Sequence, residues 1–127
     1  MATLRLTLEY DGTGFRGWAR QPGKRTVESV LRDALDVVVP SWEGLAVAGR
    51  TDAGAHATGQ VASLEAGGGP PVERLAEALN TALPRDVAVL DAQEAPDGFH
   101  ARFSASARSY RYIVLARRER APLRDRR

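Results

Sequence analysis

The sequence predicts an α+β fold of ferredoxin-like or RRM-like type, with one antiparallel sheet and two helices on one of its faces. Three observations carry this. Period-two alternation opens the chain from Thr3 to Tyr10 and returns in later short segments. Two stretches bear an apolar stripe at helical spacing. The order strand, helix, strand, strand, helix, strand is the split β-α-β arrangement.

The first strand reads T-L-R-L-T-L-E-Y. Leu4, Leu6, Leu8 and Tyr10 share one face, and Thr3, Arg5, Thr7 and Glu9 the other. Leu4, Leu6 and Leu8 are expected to face the helices. Asp11-Gly12-Thr13-Gly14 ends the strand as a turn organised by Asp11, and Gln21 to Arg25 is a polar loop. Thr26 is placed to cap a helix whose stripe is Val27, Val30, Leu31, Ala34, Leu35 and Val38, with Pro40 as its stop. Leu45 to Ala48 reads as a short strand, Gly49 to Ala57 as a loop, and Gln60 to Glu65 as the next strand. Gly67-Gly68-Gly69-Pro70 reads as a flexible linker. Pro71 suits a first helical turn, and Val72, Leu75, Ala76, Leu79 and Leu83 form a second stripe closed by Pro84. Val87 to Leu90 is a fourth strand. Ser109 to Leu115 is a fifth, rich in aromatic and β-branched residues. With nothing after it to pair with, that last strand gives the chain a truncated look.

At 127 residues the chain fits one domain, 1–127. Hydrophobic residues make up 43% and charged residues 27%, a globular rather than a disordered balance. There is no cysteine, which excludes disulfides and thiolate metal sites. No apolar run approaches the ~20 residues that span a bilayer, and Met1 to Tyr10 alternates with Arg5 and Glu9 rather than reading as a signal peptide. A soluble cytoplasmic protein with no membrane association is expected. Charge is uneven. Residues 1–98 hold nine Lys/Arg against fourteen Asp/Glu, a net −5; residues 99–127 hold nine Arg against Glu119 and Asp125, a net +7. Such an end fits either a polyanion partner, nucleic acid being the commonest, or a solvated arginine-rich segment.

The G-R-T-D-A-G stretch at 49–54 is the most informative. Two glycines flank Arg50, Thr51 and Asp52 between two predicted strands. A carboxylate and a guanidinium two residues apart can pair, which would keep the carboxylate ionised and aimed, as nucleophilic catalysis needs. The same spacing also occurs in ordinary turns.

Three segments then agree in order. Gly49 to Ala57 (G-R-T-D-A-G-A-H-A) resembles the signature of tRNA pseudouridine synthases of the TruA type, whose Asp attacks the target uridine. Tyr10 to Trp18 (Y-D-G-T-G-F-R-G-W) resembles the family's first-strand motif, and Phe99 to Tyr112 the segment that carries its Tyr. Asn80 to Asp86 (N-T-A-L-P-R-D) is also familiar. Ala19 stands where the family has Gln, and Ala55 where it has Val. Family members are about twice as long, with a cleft between two similar halves, and their second half supplies a further Arg and an apolar residue to the uridine pocket.

The resemblance implies the pseudouridine synthase fold and conversion of uridine to pseudouridine at positions 38 to 40 of the tRNA anticodon stem-loop, without a cofactor. It implies Asp52 as nucleophile, Arg50 as its partner and Tyr110 stacked on the uracil. Residues 1–127 would be the half that bears the Asp, inactive by itself, with tRNA as partner and a homodimer as the full-length form. Arg16, Arg20, Lys24, Arg25, Arg102, Arg108 and Arg111 are phosphate candidates. Phe15 and Trp18 are expected to pack near the cleft. His56 and His100 read as turn or core hydrogen-bonding residues, and two histidines without thiols make a zinc site improbable. The competing class is a non-catalytic RNA-binding half-domain. Its RNP1 pattern of Lys/Arg-Gly-aromatic is absent, and the 49–54 loop would have no purpose there. Asp11 and Asp52 are too few for a two-metal nuclease.

Overall fold

The computed structural model describes residues 1–105 and 114–115. Its elements are β1 (Ala2–Tyr10), α1 (Val27–Val38), β2 (Ser41–Val47), β3 (His56–Gly67), α2 (Val72–Ala82), β4 (Val87–Glu94), α3 (Ala101–Ala105) and β5 (Val114–Leu115). The strand order is β2-β3-β1-β4 with every neighbour antiparallel, and β5 adds to β3. This is the ferredoxin-like α+β arrangement that the element order predicts. No helix among the described residues is long and apolar enough to cross a membrane.

The alternation of β1 becomes a two-sided sheet. Leu4, Leu6, Leu8 and Tyr10 are buried, and they join Val27, Leu31, Ala34 and Leu35 of α1 and Leu75 and Leu79 of α2 in one core. β3 adds Ala62 and Leu64, which lie opposite Leu6 and Leu4. Fully burying a leucine contributes roughly 1.5–3 kcal/mol, so this face dominates the stability of the fold. Thr26 caps α1 as expected. Its Oγ1 accepts the Ser29 amide at 3.2 Å, and the Ser29 Oγ accepts the Thr26 amide at 3.1 Å. Val39 leaves the helix in extended conformation just before Pro40.

The structure moves several boundaries. β2 begins at Ser41 rather than Leu45, because Gly44 (φ +72°) sits at a register shift between Glu43 and Ala46 that breaks the alternation. β3 begins at His56 rather than Gln60, which shortens the preceding loop. β4 continues to Glu94 past the last apolar residue, since the backbone of β1 sustains the pairing through Asp91, Ala92 and Gln93. In the Gly67–Pro70 segment, Gly67 closes β3, while Gly68 and Gly69 take φ +76° and +90°. The short helix α3 was not foreseen. Of the predicted fifth strand only Val114 and Leu115 fall within the described residues. They pair with Ala57 and His56, so this end of the strand does have a partner in the chain.

Asn80 of α2 links helix and sheet. Its Nδ2 donates to the Val89 carbonyl at 3.0 Å, and its Oδ1 accepts the Val89 amide at 2.7 Å. Val89 lies just beside the register shift that interrupts the β1–β4 ladder between Thr7 and Leu8. β4 is the outer strand on its side of the sheet, and the side-chain amide supplies partners to backbone groups that a neighbouring strand would otherwise take. Replacing Asn80 by Ala should cost about 1–3 kcal/mol, the penalty for unpaired polar groups. Urea unfolding should show a lower midpoint with an unchanged slope.

Candidate active site

The 49–54 loop does not stand alone. It packs against the segment from Asp11 to Trp18 that follows β1, and the two are joined by backbone hydrogen bonds. The Trp18 amide donates to the Thr51 carbonyl at 3.0 Å, and the Gly54 amide to the Phe15 carbonyl at 3.1 Å. Between those clamps the Ala55 amide closes a turn on the Asp52 carbonyl at 3.0 Å, with Gly54 at φ +83°. Two glycines allow this approach. A Cβ on Gly12 would fall 1.8 Å from the Ala55 carbonyl oxygen, and one on Gly17 (φ +89°) would fall 2.8 Å from the Thr51 carbonyl oxygen. Only a hydrogen fits at either place.

Asp11 organises its turn as read from sequence. Its Oδ1 accepts from the Thr13 amide at 3.0 Å and the Thr13 hydroxyl at 2.7 Å. His56 is a structural residue: its Nδ1 accepts the Gly12 amide at 2.8 Å. That bond places the ring proton on Nε2. The 3.2 Å approach of His56 Nδ1 to Asp11 Oδ1 is therefore a contact between two acceptors rather than an ion pair. His100 likewise accepts the Phe103 amide through Nδ1 at 3.3 Å, at the start of α3. Phe15 and Trp18 are both buried under the loop.

Within the loop Thr51 is buried, while Arg50 and Asp52 on either side are exposed. The expected ion pair is not formed: among the described residues neither side chain makes a salt bridge. The physical reason is their exposure. In water a pair is worth ~0–1 kcal/mol and must restrain two side chains to gain it.

Arg16, Arg20 and Lys24 are exposed along the loop that leads to α1. Arg25 is occupied. Its guanidinium makes two hydrogen bonds to Asp86, at 2.9 and 3.0 Å, and lies 4.1 Å above the Phe15 ring. The Asp86 carboxylate holds the Arg25 guanidinium above its ordinary pKa. Arg102 is exposed on α3, and with Arg50, Trp18, Glu28 and His100 it lines a recess of about 590 Å³ beside β2. Asp52 is not among the lining residues. Tyr110, Arg108 and Arg111 lie outside the described residues.

Sequence reasoning assigned no role to the residues that hold Thr51. Tyr10 and Gln60 are completely buried. The Tyr10 hydroxyl lies 2.7 Å from Thr51 Oγ1, and Gln60 Nε2 donates to Tyr10 Oη at 3.3 Å and to the Gly49 carbonyl at 2.7 Å. Burial pushes the Tyr10 phenol up, against the opposing effect of its bonds to Thr51 and Gln60. One signal was available: Gln60 falls on the leucine face of the sheet, opposite Leu8, where a polar residue must find partners.

The family model of tRNA pseudouridine synthases matches residues 7–104, and the chain belongs to the tRNA pseudouridine synthase family. Among curated relatives, all bearing the name tRNA pseudouridine synthase A, the protein of Geobacter sp. is 45% identical over 123 residues, which is 97% of this chain and 50% of the relative. That of Frankia casuarinae is 51% identical over 116 residues, 90% of this chain and 42% of the relative. That of Bacillus subtilis is 50% identical over 113 residues, 87% and 46%. This chain is thus similar to the N-terminal part of the TruA-type enzymes and spans about half the length of the curated relatives it matches.

Glu28 fastens the approach to the site from the α1 side. Burial by itself would raise its carboxyl. That is outweighed by hydrogen bonds from the Arg20 amide and the Arg32 guanidinium, both at 2.9 Å, and the pKa is lowered. A depressed folded-state pKa gives stability that is present above the unfolded pKa and lost as pH falls through the folded one. Unfolding measured from pH 7 downward should therefore show the wild type losing its margin over Glu28→Gln in the acid range below the unfolded glutamate value. The margin itself should be within about 1 kcal/mol, since part of the pair is solvated.

Proposed function

We propose that residues 1–127 form the Asp-bearing half of an enzyme that isomerises uridine to pseudouridine in tRNA, at positions 38 to 40 of the anticodon stem-loop. Asp52 is its nucleophile. The observation that supports this most is the presentation of Asp52: a carboxylate exposed to solvent on a backbone that is clamped on both sides by the segment after β1. A nucleophile fixed in direction and open to substrate needs that combination.

The reaction conserves atoms. The bond from N1 to ribose C1′ breaks, a bond from C5 to C1′ forms, the C5 proton leaves and N1 gains one. No oxidant, reductant or hydrolytic water is consumed. Arg50 stands beside the reacting base once it is drawn out of the stem, and Tyr110 stacks on the extruded uracil. The partner is tRNA. Arg16, Arg20, Lys24, Arg102, Arg108 and Arg111 supply phosphate contacts that set register rather than sequence preference. Arg25, held by Asp86, braces the loop that displays three of them. The remaining wall of the pocket comes from the second half that the relatives possess, in a full-length form that is a homodimer.

Two tests follow. The chain is fused to the C-terminal half of the Geobacter relative, and pseudouridine is measured in a tRNA transcript. Asp52→Asn should abolish product, by at least a hundredfold, with folding intact; turnover like the wild type would remove Asp52 from the role. The unfused chain should bind tRNA without forming product. That binding should weaken with salt, with a slope of roughly −0.7 to −0.9 in log K against log salt per phosphate contact. Binding insensitive to salt would show that the +7 segment at 99–127 is not the contact surface.

A further inference from the structure

We propose that Tyr10, Gln60 and Thr51 form a buried relay that positions Asp52, so that the hydroxyl of the first strand's last residue sets the direction of the carboxylate. The proposal rests on the reading of Asp52 as nucleophile. It concerns three positioning residues, none of which touches substrate.

Gln60 anchors the relay through its amide hydrogens. Gln60 Nε2 has two hydrogens, and they go to the Gly49 carbonyl at 2.7 Å and to Tyr10 Oη at 3.3 Å. The Tyr10 oxygen therefore accepts from Gln60, and it shares a further hydrogen bond with Thr51 Oγ1 at 2.7 Å, in which either hydroxyl can donate. All three residues are buried, and no buried side-chain polar atom among the described residues lacks a partner. On the leucine face of a sheet, a side-chain amide and a phenol are costly unless every bond is made. A leucine and a phenylalanine would fill the same face without that demand. Two of the bonds they make fasten Gly49 and Thr51, which lie within three residues of Asp52.

Thr51 is consequently held in two directions. Its side chain is fixed from the core by Tyr10, and its carbonyl from the other loop by the Trp18 amide at 3.0 Å. Downstream, the Ala55 amide closes the turn on the Asp52 carbonyl, and the Gly54 amide bonds the Phe15 carbonyl. Asp52 is the exposed residue between these fastenings. Its backbone has little freedom, and its side chain leaves in a direction set by Thr51. A misplacement of about 1 Å at such a residue can cost on the order of a hundredfold in rate.

The test compares Tyr10→Phe and Thr51→Val, each of which removes one hydroxyl and keeps the shape, with Thr51→Ser, which retains the hydroxyl. Leu79→Val on α2 serves as a control that lowers stability without touching the relay. In the 127-residue chain, amide hydrogen exchange is followed at Trp18, Gly54 and Ala55, the donors that fasten the loop. Tyr10→Phe and Thr51→Val should speed these amides at least tenfold beyond the change at Leu6 and Leu64 in the core. Thr51→Ser should leave them near wild type. In the fusion protein, the first two variants should lower kcat at least tenfold with KM for tRNA unchanged, and Thr51→Ser should restore it. If loop exchange only follows the core, and kcat moves no further than in Leu79→Val, the three residues serve stability alone and the proposal falls. The two readings fail separately. An Asp52→Asn fusion that keeps its turnover, or a wild-type fusion that makes no pseudouridine, counts against the nucleophile reading, while exchange at Trp18, Gly54 and Ala55 still decides whether the relay fixes the loop. Thr51→Val decides in place of Tyr10→Phe should the latter fail to fold.

Discussion

The site depends on two stretches of backbone being pressed together more closely than any side chain would permit. One follows β1 and the other precedes β3, and β1 and β3 are neighbours in the sheet. The sheet thus delivers both stretches to the same place. Glycine does the rest, at Gly12 against Ala55 and at Gly17 against Thr51. Close approach lets main-chain amides and carbonyls satisfy one another across the gap, which buried backbone requires. The outcome is a loop with a clamped spine and two exposed charged side chains, Arg50 and Asp52, on its outer surface.

The arginines divide into two kinds. Arg25 and Arg32 are bound by Asp86 and Glu28, and each also covers an aromatic ring, Phe15 at 4.1 Å and Trp42 at 5.3 Å. Their charge is neutralised locally, and they brace loops and helix. Arg16, Arg20 and Arg50 face solvent near the same loop. Among the described residues, no salt bridge neutralises their charge. Charge of this kind draws a polyanion toward one region even where the described domain is acidic overall.

Much of the fold was legible because the core face is written at period two in β1 and at helical period in α1 and α2. Thr26 and Pro40 mark the ends of α1 by chemistry that acts locally. What was missed depends on tertiary pairing. β2 could not be traced back to Ser41, since the shift at Gly44 hides its register. Asp91 to Glu94 carry no strand signal of their own and are extended because β1 lies alongside. At the candidate site, motif resemblance pointed to Asp52 and Arg50 but not to what supports the loop that carries them. Tyr10 read as one more core residue because its ring is apolar, and the use of its hydroxyl depends on Thr51, forty-one residues away along the chain. The supposed Arg50–Asp52 pair illustrates the opposite error: spacing in sequence is not contact, and in water nothing compels two such groups to meet.

Asn80 has a further effect through the position of Val89. β4 is the outer strand on its side of the sheet. The Val89 amide and carbonyl engaged by Asn80 are the groups an incoming extended peptide would use first, and the helix has already taken them. An open edge invites pairing with a second molecule, and proteins commonly guard it with a charge, a proline or a bulge. Here the guard is a carboxamide lent by α2, which acts as a one-residue strand. Growth of the sheet by addition is thereby discouraged at this point of β4.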